Sequence, residues 1–163
     1  MKSILILGAG VMQGPAMRIA REKGYRVFAA DGNPAAPLVP LADEFIHIDL
    51  KDKEGLAEAA ARIDGLAGVF TAGTDFSASV AWVAGRLGLP GIPYEVALDA
   101  SDKARMRARL AACGVPVPAF ASGTAADDPA ALAERVAPLP LVVKPVDNMG
   151  ARGCRLARSV AEL

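Results

Sequence analysis

The run ILILGAGVMQGPAMRIAREKG, Ile4 to Gly24, breaks from an unbroken apolar segment into glycines and resumes as an amphipathic pattern. Ile4–Leu7 carries no polar residue, as a strand buried on both faces of a parallel sheet requires. Pro15 at a first helical position and Gly24 just past a last one bracket a helix between them. The glycines Gly8, Gly10 and Gly14 form G-x-G-x-x-x-G, with Gln13 where a dinucleotide fingerprint has its third glycine, and Asp31 ends the next apolar run. Such a turn lets bare backbone N–H groups and a helix N-terminus face an anion. It suits an NAD(P)-binding module, with Asp31 on the ribose hydroxyls, and it equally suits a tight turn that serves another ligand.

Working outward, RVFAAD and EFIHID read as the second and third strands, KEGLAEAAARI as a helix and GVFTAG as a fourth strand. Phe76, Val80, Val83 and Leu87 recur at helical spacing, and GLPGIP ends that unit. Strands alternating with helices predict a doubly wound parallel sheet, with ligands at the carboxyl ends of its strands. The rhythm then changes. ASDKARMRARLAACG is a helix capped by Ser101 or Asp102 and stopped by Gly114, with Met106, Leu110 and Cys113 on its expected buried face. VPVPAF suits a linker running into an edge strand. Asp128 and Pro129 open a further helix, and LVVKPVDNMGARGCRLARS reads as a β-hairpin with a long tip.

Composition narrows the class. The 163 residues are 53% hydrophobic, and Lys+Arg and Asp+Glu balance at 18 each, which argues against nucleic acid as a partner. Ile4–Leu7 is too short for a leader segment or a membrane span, so no membrane partner is expected. Cys113 and Cys154 have no metal-ligand spacing and read as reduced, mostly buried thiols of a cytoplasmic protein. His47 reads as an ordinary strand histidine, and Trp82 lies off the apolar helix face.

Two features point to polyphosphate. Lys144 ends an apolar strand, and Gly150 and Gly153 bring backbone N–H groups close to any anion that Lys144 and Arg152 attract. The loop has the mixture of donors, cations and glycines that a lid closing on phosphates needs. Lys103 falls in the first turn of a helix, where the macrodipole disfavours a cation unless an anion is bound there.

In order and spacing, SDKARMRARLAACGVPVPAF and LVVKPVDNMGARGCRLA, behind ILILGAG and TAGTD, resemble the ATP-grasp superfamily along the whole chain. The closest resemblance is to the branch of carbamoyl-phosphate synthase large subunits, biotin carboxylases and purine-pathway carboxylases. It implies an α/β fold: a Rossmann-like pre-ATP-grasp sheet over 1–95, a connecting helix and linker over 96–118, and the first, incomplete α+β part of an ATP-grasp domain over 119–163. It implies an ATP-dependent carboxylate–amine or related ligase that works through an acyl phosphate, with ATP and Mg²⁺. Its other substrates would be a small carboxylate or bicarbonate and a nucleophilic acceptor, and a homodimer is compatible with it. The resemblance assigns ATP contacts to Lys103, Lys144, Asp147, Asn148, Met149, Gly150, Ala151, Arg152 and Gly153. It makes Gly8, Gly10, Val11, Asp31, Thr74 and Asp75 candidates for the substrate pocket. No catalytic residue and no metal ligand is assigned, because the family carries its Mg²⁺ ligands and adenine hinge further along than Leu163. The expectation is therefore an N-terminal fragment, designed, proteolysed or from a split gene, that is inactive alone. The rival readings are an NAD(P)-binding Rossmann module or oxidoreductase, which needs the parallel sheet to continue after residue 95, and a non-catalytic scaffold.

Overall fold

The computed structural model describes residues 1–136, 138–148 and 150–163. The chain divides into two units, Met1–Leu98 and Asp99–Leu163.

The first unit is built on a four-stranded parallel sheet: β1 (Ser3–Leu7), β2 (Arg26–Asp31), β3 (Glu44–His47) and β4 (Leu66–Thr71), in the order β3-β2-β1-β4. Three helices connect or follow the strands: α1 (Gly14–Glu22), α2 (Lys53–Ala61) and α3 (Ser77–Arg86). Strand alternation assigns side chains to two cores. Leu5, Leu7, Phe28 and Ala30 meet Leu56 and Val83, whereas Ile6, Val27 and Ala29 meet Met17 and Ala20 of α1. Both faces of β1 are thus covered, which is why its sequence shows no polar alternation. The chain leaves β1 toward β2 and β3, then returns to place β4 on the other side of β1. The crevice at the carboxyl end of β1 is therefore a topological switch point.

A helix not anticipated from the sequence, α4 (Tyr94–Ser101), follows the GLPGIP segment. Its first residue closes a three-residue cluster that explains Trp82. Tyr94 and Trp82 meet edge to face at 5.0 Å between ring centroids, and the Lys53 ammonium lies 5.0 Å from the Trp82 ring and 4.7 Å from the Tyr94 ring. Lys53 Nζ also donates to the Tyr94 hydroxyl at 2.5 Å.

The second unit contains α5 (Lys103–Ala112), α6 (Pro129–Glu134) and the antiparallel hairpin β5 (Leu141–Val143)–β6 (Arg155–Ala157). Asp102, not Ser101, caps α5, accepting from Ala104 N and Arg105 N at 2.8 and 2.9 Å, and Asp128 caps α6. Three expectations are corrected here. VPVPAF is not a strand; Arg107 instead donates to Pro118 O at 3.4 Å and covers the Phe120 ring. No residue of α5 is buried, so the Leu110–Cys113 face is open, and Cys113 and Cys154 are both exposed. The physical reason is the same for all: among the described residues of this unit only Ala133 and Ala157 are buried, so there is no interior for a thiol or a third strand to enter.

Removing the Lys53 ammonium from its two rings is expected to destabilise the protein by about 1–2 kcal/mol. Glu54→Ala, which breaks only an exposed contact of 3.9 Å to Arg86, is expected to stay within about 0.5 kcal/mol. Urea unfolding of Lys53→Ala and Glu54→Ala compares them directly.

Candidate functional site

At the carboxyl ends of the parallel strands the first unit holds a cavity of about 350 Å³. Gly8, Gly10 and Gln13 line it from the turn after β1, Asp31, Gly32 and Asn33 from the end of β2, Asp49 and Leu50 from beyond β3, and Thr74 and Phe76 from beyond β4. It is the switch-point crevice that the strand order implies. Gly8, Gly10, Asp31 and Thr74 of the sequence-derived candidates come together there; Val11, 71% exposed, and Asp75 are not among its lining residues.

The glycine turn is held by Asp31. Its Oδ2 accepts from Ala9 N at 2.8 Å and its Oδ1 from Asn33 N at 2.8 Å, so the carboxylate at the end of β2 ties two loops together. Ala9 is fully buried. Gly8 requires its residue type, since its φ is 99°.

Gln13 was read from the sequence only as a missing glycine. It is 3% exposed and donates through Nε2 to Ala72 O, which joins the turn after β1 to the loop after β4. A Cβ built on Gly8 or Gly10 would stand 3.1 or 3.2 Å from Gln13 Oε1, so the side chain packs tightly over the turn. The loop after β4 has its own anchor: Thr71 Oγ1 donates to Leu7 O at 2.8 Å and lies 2.7 Å from Thr74 Oγ1. No sequence signal distinguished this glutamine, because its partner is a carbonyl of a distant loop.

The candidate phosphate residues lie in the second unit. Lys103 N donates to Val146 O at 3.0 Å, and the Lys103 ammonium donates to Val146 O at 3.3 Å and Asn148 O at 2.6 Å. The helix N-terminus and the hairpin loop, which the sequence offered as two separate clues, are therefore joined by one side chain. The carbonyl oxygens also offset the unfavourable position of this cation at the helix N-terminus. Lys144, Asp147, Asn148 and Gly150–Gly153 are exposed on the hairpin tip, and Arg152 with them. Gly150, Ala151 and Gly153 have φ of 64°, 57° and 73°, so the tip turns through left-handed backbone, and its described residues form no helix. Met149, the remaining residue of that set, lies outside the described residues.

No family model matches the chain. The protein y4rH of Sinorhizobium fredii, itself uncharacterised, is 40% identical over 98 residues, which is 60% of this chain and 20% of that one. The crystal structure of phosphoribosylglycinamide synthetase from Anaerococcus prevotii superposes with a TM-score of 0.71 at 25% identity, covering 99% of this chain and 40% of that one. The biotin carboxylase domain dimer of Hydrogenobacter thermophilus 2-oxoglutarate carboxylase, in complex with MgADP, ADP and bicarbonate, superposes with a TM-score of 0.74 at 22% identity. This covers 99% of this chain and 38% of that one. The chain has the fold of the N-terminal part of ATP-grasp ligases. It spans about 40% of the length of that synthetase and 20% of the length of y4rH. No helix among the described residues is long and apolar enough to cross a membrane.

Asp31→Ala is expected to destabilise the protein by about 1–3 kcal/mol, because it leaves the buried Ala9 N–H without an acceptor. In the hairpin, Gly153→Ala is expected to be destabilising, since its Cβ would meet Pro145 Cγ at 2.8 Å and its φ is positive. Ala151→Gly is expected to be neutral or stabilising by up to about 1 kcal/mol. Equilibrium denaturation of the three variants checks all of these signs.

Proposed function

We propose that the intact protein is an ATP-dependent carboxylate–amine or related ligase that works through an acyl phosphate. In this reading the second unit contacts ATP and the glycine-turn cavity of the first holds the acceptor substrate. The observation that carries the proposal is the superposition of 99% of the chain on an ATP-grasp synthetase at 25% identity. The Lys103 link supports it: the candidate contacts Lys103 and Asn148 meet in one hydrogen bond. Its ammonium has three protons, of which two are engaged by carbonyls, so one remains for a phosphate oxygen. With Lys144, Arg152 and the loop backbone it would neutralise and orient the triphosphate, the electrostatic work that phosphoryl transfer requires. A carbamoyl-phosphate synthase-like version of this chemistry rests on motif order alone.

Mg²⁺ is part of the same proposal and is supported by the MgADP of the Hydrogenobacter complex. Among the described residues no group of three or more His, Cys, Asp or Glu side chains could hold a metal ion. Bicarbonate or another small carboxylate as substrate, and a dimeric assembly, are part of the same proposal and are supported by the Hydrogenobacter complex. Cytoplasmic placement is part of the same proposal.

The test is nucleotide binding by the intact protein, followed by fluorescence of a methylanthraniloyl-labelled ATP. Saturable binding is expected, weakened about tenfold or more by Lys144→Ala and by Lys103→Ala. NADH and NADPH are expected not to bind. Micromolar affinity for either, with none for ATP, would favour the nicotinamide module instead. Absence of all nucleotide binding would favour a non-catalytic scaffold.

A further inference from the structure

Acceptors outnumber donors among the side chains that line the glycine-turn cavity. Thr71 gives its hydroxyl proton to Leu7 O, so the proton between Thr71 and Thr74 must come from Thr74. Thr74 also receives Phe76 N at 3.3 Å, and what it retains for a ligand is acceptor capacity. Ala72 O can only accept, so the Gln13 amide must turn its nitrogen there, and its Oε1 is the atom left beside Gly8 and Gly10. Asp31 is fixed by two backbone N–H groups and Asp49 by Lys51 N at 2.9 Å, and each carboxylate keeps further lone pairs. Asn33 accepts from Ala35 N through Oδ1, leaving its amide as the side-chain donor of the lining. Among the described residues no Lys, Arg or His lines the cavity.

A phosphate or carboxylate brought into this cavity would meet two carboxylates and acceptor oxygens with no cationic side chain to neutralise it. A group that donates hydrogen bonds and carries positive charge would find acceptors on Asp31, Asp49, Gln13 and Thr74. We propose that the cavity recognises the ammonium group of an amine-bearing, non-phosphorylated substrate, held between Asp31 and Asp49 with Gln13 and Thr74 as further acceptors. The inference rests on the reading of the cavity as the acceptor-substrate site of a ligase. Gln13 is then a specificity residue: it fills the turn that a pyrophosphate would otherwise approach and presents an oxygen in its place.

The experiment is an NMR titration of the isotopically labelled 163-residue chain, following backbone amides, with L-alaninamide, D-ribose and ribose 5-phosphate in parallel. L-Alaninamide is expected to shift the amides of Gly8, Gly10, Asp31 and Thr74, and ribose 5-phosphate to leave them unmoved up to about 10 mM. Asp49→Asn, at an exposed position, is expected to weaken alaninamide binding about tenfold with the remaining spectrum unchanged, and Asp49→Glu to restore most of it. Stronger binding of ribose 5-phosphate or D-ribose at these amides overturns the proposal and leaves the ligase reading intact. Alaninamide binding that is indifferent to Asp49→Asn overturns it too. If no probe moves these amides, both this proposal and the assignment of the cavity as a substrate site fail, whereas labelled-ATP binding by the intact protein still decides the ligase reading separately.

Discussion

The burial of β1 on both faces is the constraint from which the first unit follows. A strand with Leu5 and Leu7 on one side and Ile6 on the other needs a covering layer on each. Helix α1 supplies one layer, and α2 with α3 supplies the other. Once β1 is central, the chain must leave it in one direction and return on the opposite side, and the crevice at its carboxyl end is unavoidable. Leu7, Gly8 and Ala9 at that end are buried, and their backbone groups take partners from the protein. Asp31 serves Ala9, and Thr71 serves Leu7. These two anchors come from the strands on either side of β1, and they hold the walls of the cavity at a set spacing.

The same anchors decide what the cavity offers. Each tether consumes a proton or turns an amide, and the net result is a lining rich in acceptors. A nicotinamide-type glycine turn must leave room for the backbone to meet a pyrophosphate, and here Gln13 takes that room. The resemblance of the opening sequence to a dinucleotide fingerprint is thus one of backbone geometry, and the chemistry above the turn is different. Glycine placement reports how the chain bends; the side chain three residues on reports what is admitted.

The second unit obeys other rules. It buries very little of its own surface: Val142 and Leu156, which pair across the hairpin, remain 63% and 44% exposed. A two-stranded hairpin with an open apolar face is marginal by itself in water. What organises this unit is polar. Asp102 caps α5, Lys103 reaches back to the carbonyls of Val146 and Asn148, and Asp127 receives the Thr124 N–H and hydroxyl ahead of α6. The Thr124 backbone bond, and then its hydroxyl, hold the Asp127 carboxyl below the usual carboxylate range. A depressed carboxyl contributes stability above its unfolded-state value and loses it as pH falls through the folded one, so this turn is an acid-sensitive point of the unit.

The sequence by itself determined whatever depends on neighbours along the chain. The strands and helices of the parallel sheet follow from unbroken apolar runs, Pro15 and the glycine stops. Asp102 and Asp128 announce their helices because a cap bonds to N–H groups two or three residues away. The hairpin and its glycine tip follow from local pattern as well, as do the candidate residues Lys103 and Lys144. Tertiary structure decided everything that depends on distant partners. The sequence could not show that Gln13 closes the glycine turn, since Ala72 lies 59 residues away. Nor could it show that Lys103 binds the hairpin, across 43 and 45 residues. Leu110, Cys113 and VPVPAF were misread for the same reason: apolar spacing records which face could be buried, and only the packed chain determines whether anything covers it.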